Sequence, residues 1–286
     1  MATLADIRRR IASMKNTQQI TRAMQAVAAS KLRKAQARAQ AARPYAERME
    51  QVLSEVAERV SGTPHPFLSR RTVRKRLLIL VTADRGLAGA LNVNVQRAAL
   101  QQLRQGPPVV LATVGRKGRE FFRRLNVPIV AEVSQIGDRP ELKTILPVVT
   151  VAMDEYLAGN VDEVSLAYTR FVSMTRLNPT ITPLIPVTVP ERKSEGPRAE
   201  HLYEPEPEEV LARLLPRYVE AQVYAAVLDN IASFYSAQMI AMRNATDNAG
   251  ELIQDLTLLR NKVRQATITK ELMEIVGGAE ALAAGG

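Results

Sequence analysis

Apolar and small residues near both ends of the chain recur at alternating steps of four and three. In the first sixty residues the row runs Ile7, Ile11, Met14, Gln18, Thr21, Gln25, Ala28, Leu32, Ala35, Ala39, Ala42, Ala46, Met49, Leu53, Val56 and Val60. In the last eighty it runs Leu214, Tyr218, Ala221, Ala225, Leu228, Ala232, Tyr235, Met239, Met242, Thr246, Ala249, Ile253 and Leu256. A spacing of about 3.5 held this long predicts a left-handed coiled coil rather than a helix of an ordinary globule. At about 1.5 Å per residue, residues 3–60 would span roughly 85 Å and residues 207–276 roughly 105 Å. A compact domain of this size is much narrower. The two ends are therefore expected to pair with each other, antiparallel. The second helix outruns the first by roughly 15 Å, which leaves the segment from about Ala266 projecting alone beyond Met1. Its end, IVGGAEALAAGG, suits either a bearing with few angle-specific contacts or a frayed tail. Pro44 and Pro216 each remove a backbone donor and are candidate kinks.

The middle of the chain has another pattern. Leu77–Thr82 (LLILVT) and Val109–Val114 are short continuous apolar runs, as in strands buried on both faces. Val127–Ile136, Glu163–Val172 and Thr180–Val187 read as further strands. Helical stretches lie between Gly89 and Gln105, at Arg116–Leu125 and at Glu141–Leu157. Strands alternating with helices predict a parallel or mostly parallel sheet flanked by helices. Breaks are expected at Gly62–Pro66, at Asn178–Pro179 and in the polar, Pro-rich stretch 190–207. The predicted fold class is α/β with a long antiparallel coiled coil: paired N- and C-terminal helices and a central Rossmann-like α/β domain. The expected boundaries are a coiled-coil helix at 1–60, an α/β domain at 75–190 and a second coiled-coil helix at 207–286.

Composition narrows the chemistry. The chain has 286 residues, no Cys and two histidines, His65 and His201. Disulfides, thiolate catalysis and Cys-ligated zinc are excluded, and a histidine metal site is not expected. No run approaches the roughly 20 apolar residues needed to cross a bilayer. The basic start lacks the apolar core and cleavage site of a signal peptide, so a cytoplasmic protein is expected. Thr82–Gly89 (TADRGLAG) and Gly115–Gly118 (GRKG) occupy the strand-to-helix position of phosphate loops, but neither completes a phosphate-binding motif. A structural turn is the expected role, with Asp84 helping to cap it. Asp84, Asp138, Asp154 and Glu155 have no matching base, nucleophile or metal ligand.

The formal net charge is +10, and residues 1–45 hold ten Lys or Arg against the single acid Asp6. Arg8, Arg9, Lys15, Arg22, Lys31, Arg33 and Lys34 fall outside the apolar row and surround the helix. Three readings stay open: a solvated face, a nucleic-acid surface binding phosphates, or a surface for an acidic protein partner. No aromatic residues interleave for base stacking.

Four stretches carry a family resemblance: IRRRIASMKNTQQITRAMQAVAASKLRKAQ, TADRGLAGALN, LYEPEPEEVL and AMRNATDNAGELIQDLTLLRNKVRQATITKELMEIVGGAEAL. Together they resemble the gamma subunit of F-type ATP synthases, over nearly the full chain. The resemblance implies a central-stalk rotor coupling the membrane c ring to ATP synthesis or hydrolysis. It implies partners in the alpha and beta subunits, the epsilon subunit and the c ring, with no nucleic acid. It further implies no cofactor, no catalysis by the chain itself, and a peripheral place on the cytoplasmic face of the bacterial membrane. By the same resemblance Arg264, Gln265 and Thr269 match positions that meet the beta subunits. Met24, with Lys15, Arg22 and Lys31 nearby, matches the neighbouring part of that surface, and Tyr203 and Glu204 match a foot facing the c ring. Some relatives carry Cys where this chain has Ala88, and an inserted regulatory dithiol known in photosynthetic members is absent, so redox control is not expected. A nucleic-acid-binding coiled coil and a small α/β enzyme are the alternatives.

Overall fold

The computed structural model describes residues 3–60, 65–188 and 206–284. The chain forms two compact units, residues 1–27 with 239–286, and residues 28–238. Two helices, α1 (Leu4–Ala57) and α5 (Pro207–Ala284), contribute to both.

The first unit pairs the start of α1 with the end of α5. Thr3 and Asp6 open α1 as a reciprocal cap: the Thr3 hydroxyl accepts from the Asp6 N–H, and the Asp6 carboxylate accepts from the Thr3 N–H. Ile7, Ile11 and Thr21 of α1, and Met242, Thr246 and Ala249 of α5, are buried. The seam has a polar layer. Gln18 Nε2 donates to the Thr246 carbonyl at 3.4 Å, and Thr246 Oγ1 lies 2.8 Å from Thr21 Oγ1. Gly250 makes room for this layer, because a Cβ there would stand 3.0 Å from Gln18 Nε2. A polar layer in an apolar seam fixes register, since any slip leaves buried polar groups unpaired.

The second unit holds a five-stranded sheet in the order β3-β2-β1-β4-β5. Its strands are β1 (Arg76–Val81), β2 (Val109–Val114), β3 (Ile129–Val133), β4 (Glu163–Phe171) and β5 (Leu177–Ile185). The first four run parallel and β5 is antiparallel to β4. The crossovers are α2 (Leu91–Arg104), α3 (Arg116–Arg124) and α4 (Leu142–Leu157). β1 is central and covered on both faces, which is why its sequence is continuously apolar. Leu78 and Leu80 pack with Val95, Ala99 and Phe122 from α2 and α3. Leu77, Ile79 and Val81 pack on the opposite face, in one cluster with α4, Leu53 and Val56 of α1, and Leu211, Leu215, Val219 and Val223 of α5.

Two expectations change. β5 begins at Leu177 and includes Asn178 and Pro179, where the sequence predicts a break. β5 is an edge strand, and an edge leaves one side free of ladder bonds, so its prolines 179 and 183 remove donors the sheet does not need. The third strand is shorter than 127–136. α1 and α5 run on through Pro44 and Pro216, respectively. The expected break at Gly62–Pro66 lies mostly outside the described residues. After it, a 3-10 turn (Pro66–Leu68) is capped by His65, whose Nδ1 accepts from the Phe67 N–H at 3.2 Å.

Candidate functional site

The strand-to-helix turn is filled from within. Asp84 Oδ1 accepts the backbone N–H groups of Arg116 and Gln135 at 3.0 Å each, and Oδ2 accepts that of Ile136 at 2.9 Å. Arg116 is the first residue of α3, so a carboxylate of this chain already occupies the helix N-terminus, where an anion would otherwise be held. The GRKG glycines serve packing. Gly115 has φ 101°, and a Cβ there would come 2.0 Å from the Thr82 carbonyl oxygen. A Cβ on Gly118 would meet Thr82 Oγ1 at 2.9 Å, the same hydroxyl that accepts the Gly118 N–H at 2.8 Å. Both glycines let α3 lie directly against the end of β1.

Charge gathers instead at Asp138, in the loop after β3. Lys31 Nζ of α1 donates to Asp138 Oδ2 at 2.6 Å, and Tyr235 OH of α5 donates to Oδ1. Arg85 Nη2 approaches Oδ1 at 3.5 Å, and Arg38 Nη1 donates to the Asp138 carbonyl at 2.7 Å. Lys31 also lies over the Tyr235 ring, 5.5 Å from its centroid. Partial burial pushes the Asp138 carboxyl up, but the hydrogen bonds from Lys31 and Tyr235 and the charges of Lys31 and Arg85 outweigh it and hold the group below the usual carboxylate range. Burial, and then the Asp138 carboxylate, push the Tyr235 phenol well up. Lys31 is thus turned into this cluster. A small cavity of about 40 Å³ adjoins it, lined by Thr82, Asp84, Arg85, Asp138, Asn230 and Tyr235 among others. Sequence reasoning identifies Asp138 only as an acid without a base. Its partners on α1 and α5 lie about a hundred residues away in each direction, and no local signal marks them.

The end of α5 is the most exposed apolar surface of the first unit. Carrying the Thr21–Thr246 register along the antiparallel pair sets Leu4 level with about Val263. Beyond that point the heptad row turns polar (Thr267, Lys270, Glu274), and residues 264–279 are all exposed. A different stripe forms there. Gln265, Ile268, Thr269, Leu272, Ile275 and Val276 fall at helical spacings of three and four, and Leu272 and Ile275 are 57% and 68% exposed. Gln265 and Thr269 stand one turn apart, with Thr269 Oγ1 donating to the Gln265 carbonyl at 3.0 Å. Arg264 is exposed beside them. Met24 is half-buried on α1, level with the region of Arg243, about twenty residues or roughly 30 Å from Arg264 along the pair. So Arg264, Gln265 and Thr269 come together and Met24 does not join them. Tyr203 and Glu204 lie outside the described residues.

Among the described residues, no three or more metal-ligating side chains converge, and no helix is long and apolar enough to cross a membrane.

The fold and exposed stripe together define a class: a chain whose own ends form an antiparallel helical pair carrying a Rossmann-like α/β domain. The family profile described as ATP synthase matches residues 3–282. The ATP synthase gamma chain of Moorella thermoacetica is 48% identical over 283 residues, covering 99% of this chain and 100% of that one. That of Nitrosococcus oceani is 46% identical over 289 residues, with the same coverage. The chain belongs to the ATP synthase gamma-chain family. Among solved structures it is similar to a central-stalk chain of Tetrahymena thermophila mitochondrial ATP synthase, with TM-score 0.58, 25% identity, and coverage of 79% of this chain and 99% of that one. A rotor chain of the Euglena gracilis mitochondrial enzyme has the same fold, with TM-score 0.68 at 18% identity, over 93% of this chain and 98% of that one.

Proposed function

We propose that this chain is the central-stalk rotor of an F-type ATP synthase, itself non-catalytic, turning with the membrane c ring inside the alpha and beta subunits. The observation that carries this reading is the end of α5. A helical section without its partner exposes Ile268, Leu272, Met273 and Ile275, and a lone helix of this length is marginal in water. Contiguous exposed apolar surface of this kind marks a contact site, and a surrounding ring of alpha and beta subunits covers it. Family membership supplies the identity of that ring. The Asp84 carboxylate on the α3 N-terminus supports the non-catalytic reading, because the turn best placed to hold a nucleotide phosphate is taken.

Arg264, Gln265 and Thr269 then form one contact patch with the beta subunits and Met24 a second, while Tyr203 and Glu204 face the c ring. The epsilon subunit packs beside the α/β domain. The protein lies peripherally on the cytoplasmic face of a bacterial membrane. Mechanically, side chains placed unevenly around the helical pair give each beta subunit a different set of contacts at each angle, and those differences shift its conformational populations. Nucleic acid has no role in this account: Lys31, Arg38 and Arg85, three of the chain's cations, converge on Asp138 rather than on a phosphate backbone.

The test is reconstitution with alpha and beta subunits. The parent chain co-purifies with them as a stable complex, and Arg264→Ala/Gln265→Ala lowers ATP turnover several-fold, by about 1 kcal/mol of lost coupling. Unchanged turnover and torque in the double variant would remove these residues from the contact. Failure of the parent chain to associate would remove the rotor reading.

A further inference from the structure

The rotor reading requires force on the α/β domain to reach both helices, and the second unit contains contacts able to carry it. The apolar interface of Leu53, Val56, Leu211 and Leu215 with the sheet holds the helices on, but apolar attraction is non-directional and resists sliding poorly. Directional contacts come from one short loop. Asp138 takes Lys31 on its carboxylate and Arg38 on its carbonyl, and these two residues stand two turns apart on α1. On α5, Tyr235 donates to the Asp138 carboxylate, and Tyr224 OH donates to the Pro140 carbonyl at 3.1 Å. Tyr224 and Tyr235 are eleven residues apart, about 16 Å along the helix. Residues 138–140 thus hold each helix at two separated points, and two points per helix resist rotation where one would act as a pivot. Arg85, from the loop after β1, approaches the same carboxylate and ties the clamp to the centre of the sheet.

We propose that Asp138 is the torque-bearing joint of the chain, the positioning residue through which force on the α/β domain is delivered to α1 and α5 together. The inference rests on the rotor reading above. A carboxylate suits such a joint, since its hydrogen bonds keep Asp138 ionised and charge-assisted bonds are the stronger kind. Neither Asp138 nor Tyr235 belongs to the contact patch at the end of α5, so loosening the joint leaves that patch unchanged.

The experiment uses the holoenzyme in membrane vesicles, with ATP hydrolysis and ATP-driven ion uptake measured together. Uptake is followed for protons and for sodium. Asp138→Asn combined with Tyr235→Phe should lower ions moved per ATP by about threefold to tenfold, while hydrolysis by the detached soluble complex stays within about twofold of the parent. Tyr235→Phe alone, which keeps the ring under Lys31 and removes one hydrogen bond, should give a smaller drop of the same kind. An unchanged ion-to-ATP ratio in both variants overturns the proposal. So does a parallel loss of hydrolysis and uptake, which would mean the cluster only holds the fold. If the parent enzyme hydrolyses ATP without moving ions, the rotor reading fails and this inference falls with it.

Discussion

Replacing Asp84 with alanine removes one carboxylate that receives three backbone N–H groups, from Arg116, Gln135 and Ile136. Net contributions of hydrogen bonds to a charged group run about 1.5–3 kcal/mol each. Asp84 is only half-buried, so water re-solvates part of what is lost, and the lower end applies. Taking that end for the three bonds together, with partial replacement by water, gives a destabilisation of about 2–4 kcal/mol. For a unit of this size each kcal/mol lowers Tm by roughly 2–4 °C, so the midpoint should fall by about 4–16 °C. Asp84→Asn keeps one carbonyl oxygen, enough for the Arg116 and Gln135 N–H groups, and should lose about half as much. The assay is urea and thermal unfolding of the full chain, followed by far-ultraviolet circular dichroism. A midpoint within about 0.5 kcal/mol of the parent for Asp84→Ala, the scatter of an ordinary surface substitution, would refute the assignment of Asp84 as the structural anchor of this turn. It would also reopen the α3 N-terminus as a ligand site.

Gly118→Ala should destabilise by about 1–3 kcal/mol by overpacking against Thr82 and Leu80, and Gly115→Ala, with its Cβ driven onto the Thr82 carbonyl, should prevent accumulation of folded chain; expression and Tm check both. Gly250→Leu should push Gln18 out of the seam and raise amide exchange at residues 11–25 and 242–256 by about fivefold, since a lost polar layer removes about 1 kcal/mol of local stability. His65 gives a pH signature. Burial lowers its pKa, so the unfolded chain binds the proton more readily than the folded one. Its contribution is therefore present above about pH 6.5 and is lost as pH falls from there through the lowered folded value. His65→Asn should flatten stability across that window, read from urea midpoints at about pH 5 to 7.

Both long helices are legible in the sequence because a seam writes itself in every turn. Each of the row positions from Ile7 to Val60 and from Leu214 to Leu256 is buried or half-buried. β1 and β2 are legible for a related reason, since a strand covered on both faces is apolar without interruption. A second row on α5 is not: Leu211, Leu215, Val219, Val223 and Val227, next to seam residues, face the sheet. Two apolar faces on one helix overlap in sequence and look like a single broad one. The start of β5 is hidden because Pro179 signals a break unless the strand is known to lie at an edge, and edge position is a property of the whole sheet. The role of Asp138 is hidden for the same kind of reason, its partners being fixed by topology rather than by neighbours.

The central claim is that this chain turns. The chain has no cysteine, so Arg104→Cys, at an exposed site near the end of α2, offers a single attachment point on the α/β domain. A bead fixed there, on a complex with alpha and beta subunits held to a surface, should rotate in one direction when ATP is added and stop when ATP is exhausted. A bead that stays at one angle while the same complexes hydrolyse ATP would contradict the account.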